Sequence, residues 1–329
     1  MGSESKSADA LHDELVGLLP EWGLSAATDI ALLTVSENAT YIARDSARTN
    51  PVILRVHRPG YHTEAEIRSE LTWIDALRAV GAVESPAIVR TRSGEYIASF
   101  VDGARTRHVV GFEFMEGREP DADAALIPGF ELLGEISARL HKHVETWTPP
   151  EGFTRKTWDY DSAFVDTPLW GAWHDGLGLS DEEANTLGTA LAKLKTALAA
   201  YGKDKDRFGL IHADLRLANL LQRDDGLGVI DFDDCGFSWF MYDFAAAISF
   251  HELNPIVPDL QSAWLRGYQK VRALSDEDIA MLPHFILFRR ILLTAWIASH
   301  AETETARAAG MATYTEGTVD LAKTYLETR

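Results

Sequence analysis

Apolar positions recur at helical spacing over residues 9–19, where Leu11, Leu15, Leu18 and Leu19 share one face and Pro20 closes the run, which predicts a short amphipathic helix. From residue 30 to 56 the pattern turns to strands: ALLTV, ATYIAR and VILRV, separated by the turn-like SEN and DSARTNP. Residues 64–80 return to helical spacing through Ile67, Leu71, Ile74 and Leu77, with Gly81 placed to end the helix. Residues 86–89, 96–101 and 109–115 read as three more strands. Beyond the MEG at residues 115–117 the character changes, and residues 130–143 and most of 181–329 read as helix. The pattern predicts an N-terminal helical extension (1–29), a small sheet with one crossing helix (30–112), a connector (113–117) and a large helical part (118–329). Such a layout suits a ligand held in a cleft between lobes.

Composition narrows the classes. The chain has 329 residues, 46% of them hydrophobic, enough for a large core and about two lobes. With 31 Lys and Arg against 50 Asp and Glu the net charge is −19, which argues against nucleic acid and anionic membranes as partners and would attract cationic ligands. The polar, acidic start lacks the form of a secretory signal. The apolar run of residues 285–297 is broken by Arg289 and Arg290, so a cytoplasmic protein with no membrane partner is expected. The one cysteine, Cys235, excludes an internal disulfide, and no Cys/His spacing suggests zinc.

The chemistry concentrates in LIHADLRLANLLQRDDGLGVIDFDDCGF, residues 210–237, which holds six aspartates. Asp224 and Asp225 sit in the turn-like QRDDGLG and are read as a hairpin turn. His212, Asp214 and Asn219 stand in the spacing HxDxxxxN, and Asp231 follows in the strand-like GVIDF. Carboxylate and amide oxygens of Asp214, Asn219 and Asp231 are the donors Mg²⁺ prefers, and Mg²⁺ commonly keeps waters and substrate phosphates in its shell. A metal-phosphate site is the reading these residues support.

LIHADLRLANLL followed by VIDFDD resembles the catalytic and metal-binding segments of the aminoglycoside phosphotransferase and choline kinase-like superfamily, whose members include homoserine kinases and bacterial stress-response kinases. The resemblance implies an α+β, bilobal protein-kinase-like fold, with a small antiparallel-sheet N-lobe and a large, mainly helical C-lobe. It also implies phosphoryl transfer from ATP with Mg²⁺. Asp214 would accept or orient the acceptor's hydroxyl proton, with His212 supporting the loop. Asn219 and Asp231 would hold the metal, and Asp233 would be a further ligand. Asp243 would tie the next helix to the catalytic loop.

For the nucleotide, Ser36 and Asn38 in SENATY would cover the phosphates, although no GxGxxG occurs. Arg55 occupies the position where kinases carry a strand lysine. Glu70 would pair with it, with Glu66 as the alternative, and the backbone at Glu113–Met115 would receive the adenine.

For the acceptor, Trp158, Trp170 and Trp173 are candidates for a pocket wall. Arg289 and Arg290 need carboxylate partners, either within the protein or on a substrate. The expected acceptor is a small hydroxylated amine or amino acid, aminoglycoside- or homoserine-like. The alternatives are a protein Ser/Thr kinase of the same fold and a nucleotide-binding pseudokinase.

Overall fold

Alternation along three short strands places the first functional side chain. A computed structural model describes residues 8–35, 38–120, 126–165, 167–224 and 226–328. It divides into two units, one of Met1–Arg118, Pro149–Arg155 and Leu221–Asp233, the other of Glu119–Thr148, Lys156–Leu220 and Asp234–Arg329.

In the first unit, helix α1 (Ala8–Leu18) runs into a 3-10 turn (Leu19–Trp22) that contains the expected Pro20. Strands β1 (Asp29–Val35), β2 (Ala39–Arg44) and β3 (Val52–Val56) follow, then helix α2 (Glu64–Ala79) and strands β4 (Ile88–Val89), β5 (Ile97–Asp102) and β6 (Arg105–Glu113). All pairings are antiparallel, in the order β1-β2-β3-β6-β4, with β5 also on β6. Tyr41, Val52, Leu54 and Val56 share one core with Leu11, Leu15, Leu19 and Trp22, so the N-terminal helix is built into the sheet's core. Along β3 the alternation that buries Val52, Leu54 and Val56 there turns Arg55 to the other face.

Helix α2 starts at a capping box, in which Thr63 accepts from the Glu66 N–H and the Glu66 carboxylate accepts from the Thr63 N–H. Its expected apolar face is buried, and Gly81 leaves it at φ +62°, in the left-handed region that favours glycine. β6 begins earlier than the hydrophobic pattern predicts, because the polar Arg105–Arg107 pair with Phe100–Asp102 across the turn at Gly103. A small hairpin of β8 (Leu220–Arg223) and β9 (Gly226–Val229) belongs to this unit apart from Leu220. It spans the expected turn at Asp224; Asp225 lies outside the described residues.

The second unit holds α3 (Leu126–Thr146), α4 (Tyr160–Phe164), α5 (Asp181–Tyr201) and the two-stranded ladder of β7 (Phe208–Ile211) with β10 (Gly236–Trp239). Helices α6 (Tyr242–Ala247), α7 (Val257–Gln269), α8 (Asp276–Ala280), α9 (Leu282–Ser299), α10 (Glu304–Ala308) and α11 (Ala312–Glu327) complete it. The stretch Asp276–Ser299 is long and apolar enough to cross a membrane by composition, correcting the expectation that no such stretch occurs, yet 72% of its most apolar 18-residue window is buried within the protein. It reads as a core helix.

Helices α3 and α7 meet backbone to backbone: a Cβ on Gly134 would overlap the Trp264 carbonyl, and one on Gly267 would overlap that of Glu131. Gly267→Ala is therefore expected to destabilise this unit by about 1–3 kcal/mol or more, since the crossing helices must separate. Thermal melting of the variant checks this; an unchanged melting temperature would contradict the close crossing.

Candidate active site

Arg55 is 6% exposed, and its Nη2 donates to both oxygens of Glu70, at 2.6 and 2.7 Å. Glu70 lies on the buried face of α2 and is itself 0% exposed. Glu66, the alternative partner, serves the cap. Burial opposes the charge on Arg55, but Glu70, then Asp233 and Asp231, raise its pKa above the ordinary arginine value. The guanidinium also stacks over the Phe112 ring at 5.3 Å. Its Nη1 donates to Asp231 at 3.4 Å. Asp231 follows β9 with φ +60°, a conformation unusual for a residue with a side chain, and its side chain is 47% exposed.

Asp233 has a different environment. Asn38 Nδ2 donates to its carboxylate at 2.8 Å, His62 and His57 lie at 3.4 and 3.5 Å, and Arg55 at 3.7 Å. Arg155 donates to its backbone carbonyl. Burial would raise the Asp233 pKa, but Arg55, followed by His62 and His57, holds it well below the usual carboxylate range. The oxygens of Asp233, expected as a further metal ligand, here face Arg55, the Asn38 amide and the two histidines. Burial, and then Arg55, push the His57 pKa well below its ordinary value.

Asn38 also accepts the Arg58 N–H at 3.1 Å, so it clamps the segment after β3 to Asp233. Ser36 lies outside the described residues. At the expected hinge, the Glu113 N–H donates to the Ala87 carbonyl and the Phe114 N–H to that of Pro51, so neither donor serves an adenine. The Glu113 carboxylate pairs with Arg48 at 2.5 Å. Met115 follows β6 with its sulfur against Gly228.

In the second unit, β7 delivers His212, Ala213 and Asp214 in a loop held from several sides. Ala213 has φ +65°, and its N–H donates to Asp243 Oδ1 at 2.8 Å. The other Asp243 oxygen bonds His141 Nε2 at 2.8 Å, and His141 Nδ1 meets the Tyr268 hydroxyl at 2.8 Å. Asp243 thus ties the start of α6 to the loop as its sequence position implies, while His141 takes part in that tie.

Asp214 is met from three directions. Arg289 Nη2 donates to Oδ1 at 2.5 Å, while Asn219 Nδ2 at 2.8 Å and Arg216 Nε at 3.2 Å donate to Oδ2. Burial works against its charge, yet Arg216, Arg289 and His212 hold its pKa below the ordinary value, so it is ionised at neutral pH. His212 is buried, and its Nδ1 accepts the Asp214 N–H at 3.4 Å, which suits a loop support. Asn219 also donates to the Asp214 carbonyl at 2.8 Å; with its amide nitrogen so engaged, its oxygen is the atom available to a cation.

Of the tryptophans, Trp158 and Trp170 pack at 5.0 Å, and Trp170 lies under the Arg289 guanidinium at 5.0 Å, beside Asp214. Trp173 stacks instead on His174 at 3.5 Å. Arg290 pairs with the buried Glu252 at 2.6 Å. Both arginines of α9 thus find carboxylates within the protein, which corrects the alternative of Arg289 as a receptor for a substrate carboxylate. His57 and His62 were not singled out from the sequence, where VHRPGYH carries no spacing that marks them, and neither was the role of Arg155.

Among the described residues no group of three or more His, Cys, Asp or Glu is gathered as a metal site. The oxygens of Asn219 and Asp231 are nevertheless the hard donors that Mg²⁺ takes alongside phosphate and water.

Comparisons with known proteins complete the picture. The model of the phosphotransferase enzyme family (APH) matches residues 31–274. The chain is similar to a solved structure described as the microcompartment-associated aminopropanol kinase, with 42% identity, a TM-score of 0.87, and coverage of 96% of this chain and 97% of that one. An amicoumacin kinase in complex with AMP-PNP, Ca²⁺ and Ami shares the fold at 18% identity and a TM-score of 0.75, over 96% and 94% of the two chains. A homoserine kinase of Gluconobacter oxydans is 29% identical over 253 residues, 71% of this chain and 73% of its own.

Proposed function

The chain belongs to the phosphotransferase enzyme family and has its protein-kinase-like fold, and from that premise we propose that it transfers the γ-phosphoryl group of Mg-ATP to the hydroxyl of a small amino alcohol. The observation that carries this reading is the ionised Asp214, immobilised by Arg289, Asn219 and Arg216. A carboxylate so held can take the hydroxyl proton as the acceptor oxygen bonds to phosphorus and ADP departs. Arg55, fixed by Glu70, presents positive charge to the nucleotide phosphates. The Glu113 carbonyl and Met115 N–H suit an adenine edge. Asn219 and Asp231 would hold Mg²⁺, which when bound neutralises phosphate charge.

For the acceptor, the aminopropanol kinase points to an amino alcohol and the homoserine kinases to an amino acid. The internal pairing of Arg289 with Asp214 and of Arg290 with Glu252 favours the first, because an α-carboxylate would find neither guanidinium available. The net charge of −19 also favours a cation.

The test is ADP release with Mg-ATP across 1-amino-2-propanol, ethanolamine, choline, homoserine, an aminoglycoside and a generic protein substrate. Turnover is expected with an amino alcohol at kcat/KM at least about tenfold above homoserine, a difference of about 1.4 kcal/mol in transition-state binding. Preference for homoserine would reverse the assignment of the acceptor. Phosphorylation of the protein alone would overturn the small-molecule reading.

A further inference from the structure

Arg289 sits in the middle of the apolar helix α9 and is 2% exposed. A buried guanidinium is tolerated only where its donors are matched, and here the partners are specific. Nη2 donates to Asp214 Oδ1 at 2.5 Å, Nη1 to the Ala213 carbonyl at 3.3 Å and to the Tyr242 hydroxyl at 3.2 Å, and Nε to Ser249 Oγ at 3.0 Å. The side chain therefore grips two consecutive loop residues from a helix that is itself core.

The first of those residues is the strained one. Ala213 adopts φ +65°, a conformation unfavourable for a residue with a Cβ, which persists only where the surroundings enforce it. Asp243 takes its N–H and Arg289 its carbonyl, so the peptide is pinned at both ends. The second residue, Asp214, has its remaining oxygen fixed by Asn219 and Arg216, which belong to the same loop. Only Arg289 ties the carboxylate itself to the helical core among the hydrogen bonds described.

We propose that Arg289 is a positioning residue, locking the Ala213–Asp214 segment so that the Asp214 carboxylate meets the acceptor hydroxyl in one orientation. The proposal rests on the kinase reading above for its kinetic consequences, but its structural consequence stands apart from it. The charged and titratable groups around Asp214 are Arg289 on α9, Tyr242 on α6, and His212 and Arg216 on the loop, with Asp234 acting in turn on Arg289 and Tyr242.

The experiment uses Arg289→Met, which keeps the stem without the charge, and Arg289→Lys, which keeps the charge without the fork and guards against a variant that fails to fold. Amide hydrogen exchange of the full-length protein is read first. Peptides covering residues 210–219 are expected to exchange faster in both variants, while those of the β1–β6 sheet keep wild-type rates. This readout needs no acceptor, so it separates failure of this proposal from failure of the kinase reading.

On the best acceptor, Arg289→Met is expected to lower kcat by about 10²-fold with KM for ATP and for the acceptor unchanged. Arg289→Lys is expected to restore only part of kcat. Unchanged protection over residues 210–219 would overturn the proposal. So would a raised acceptor KM at wild-type kcat, which would make Arg289 a substrate receptor.

Discussion

Asp214→Asn is expected to cut turnover by about 10²- to 10⁴-fold, the usual contribution of a positioned acid or base, while Mg-ATP binding stays close to wild type. The substitution keeps the shape of the side chain and removes its capacity to take a proton. It also carries a structural consequence specific to this site. Both Asp214 oxygens receive donors, Arg289 on one and Asn219 with Arg216 on the other, so an amide must turn its NH2 toward a donor whichever way it flips. One pairing is lost and the Arg289 charge is left buried without its counter-ion, so a fall in stability of about 1–3 kcal/mol should accompany the loss of rate. Steady-state kinetics, calorimetric titration with Mg-ATP and a thermal melt measure the three effects separately. Turnover at the wild-type rate would remove Asp214 from the chemistry.

The elements were legible where a single period governs them. The apolar spacing of Ile67, Leu71, Ile74 and Leu77 defines α2, and the alternation in VILRV defines β3, because both faces are set by neighbours close in sequence. The loop bearing Asp214 was legible for another reason: its residue types and spacing are dictated by chemistry, and few other uses need them together. The pairings that the sequence does not show depend on distant partners. Asp233 shares the chemical type and neighbourhood of a metal ligand, yet Arg55, with Asn38 and His62, all far away in the chain, surrounds its carboxylate. Arg289 announced a need for a carboxylate by interrupting an apolar run, but nothing local to α9 says that the carboxylate is Asp214. That the Glu113 N–H, within the segment expected at the adenine, is committed to Ala87 depends on tertiary pairing, which residue type does not reveal.

Arg55→Met is expected to be among the most damaging single changes in the first unit, destabilising it by about 3–5 kcal/mol, because it leaves the fully buried Glu70 carboxylate with its charge unmatched. The reverse change, Glu70→Met, should cost less. Arg55 would still have Asp231 at 3.4 Å and Asp233 at 3.7 Å, so the cation keeps partial compensation where the anion has none described. The double variant, with two apolar side chains facing each other, should recover part of the loss, and the resulting coupling measures the pair directly. Nucleotide binding should not follow stability. It should be weakened in Arg55→Met and in the double variant alike, since both lack the charge presented to the phosphates, and less in Glu70→Met, where the guanidinium remains but is no longer aimed. Urea denaturation of the three proteins with Mg-ATP titration of each distinguishes these effects. Wild-type affinity in the stability-recovered double variant would mean that Arg55 holds the fold of this unit and takes no part in binding the nucleotide.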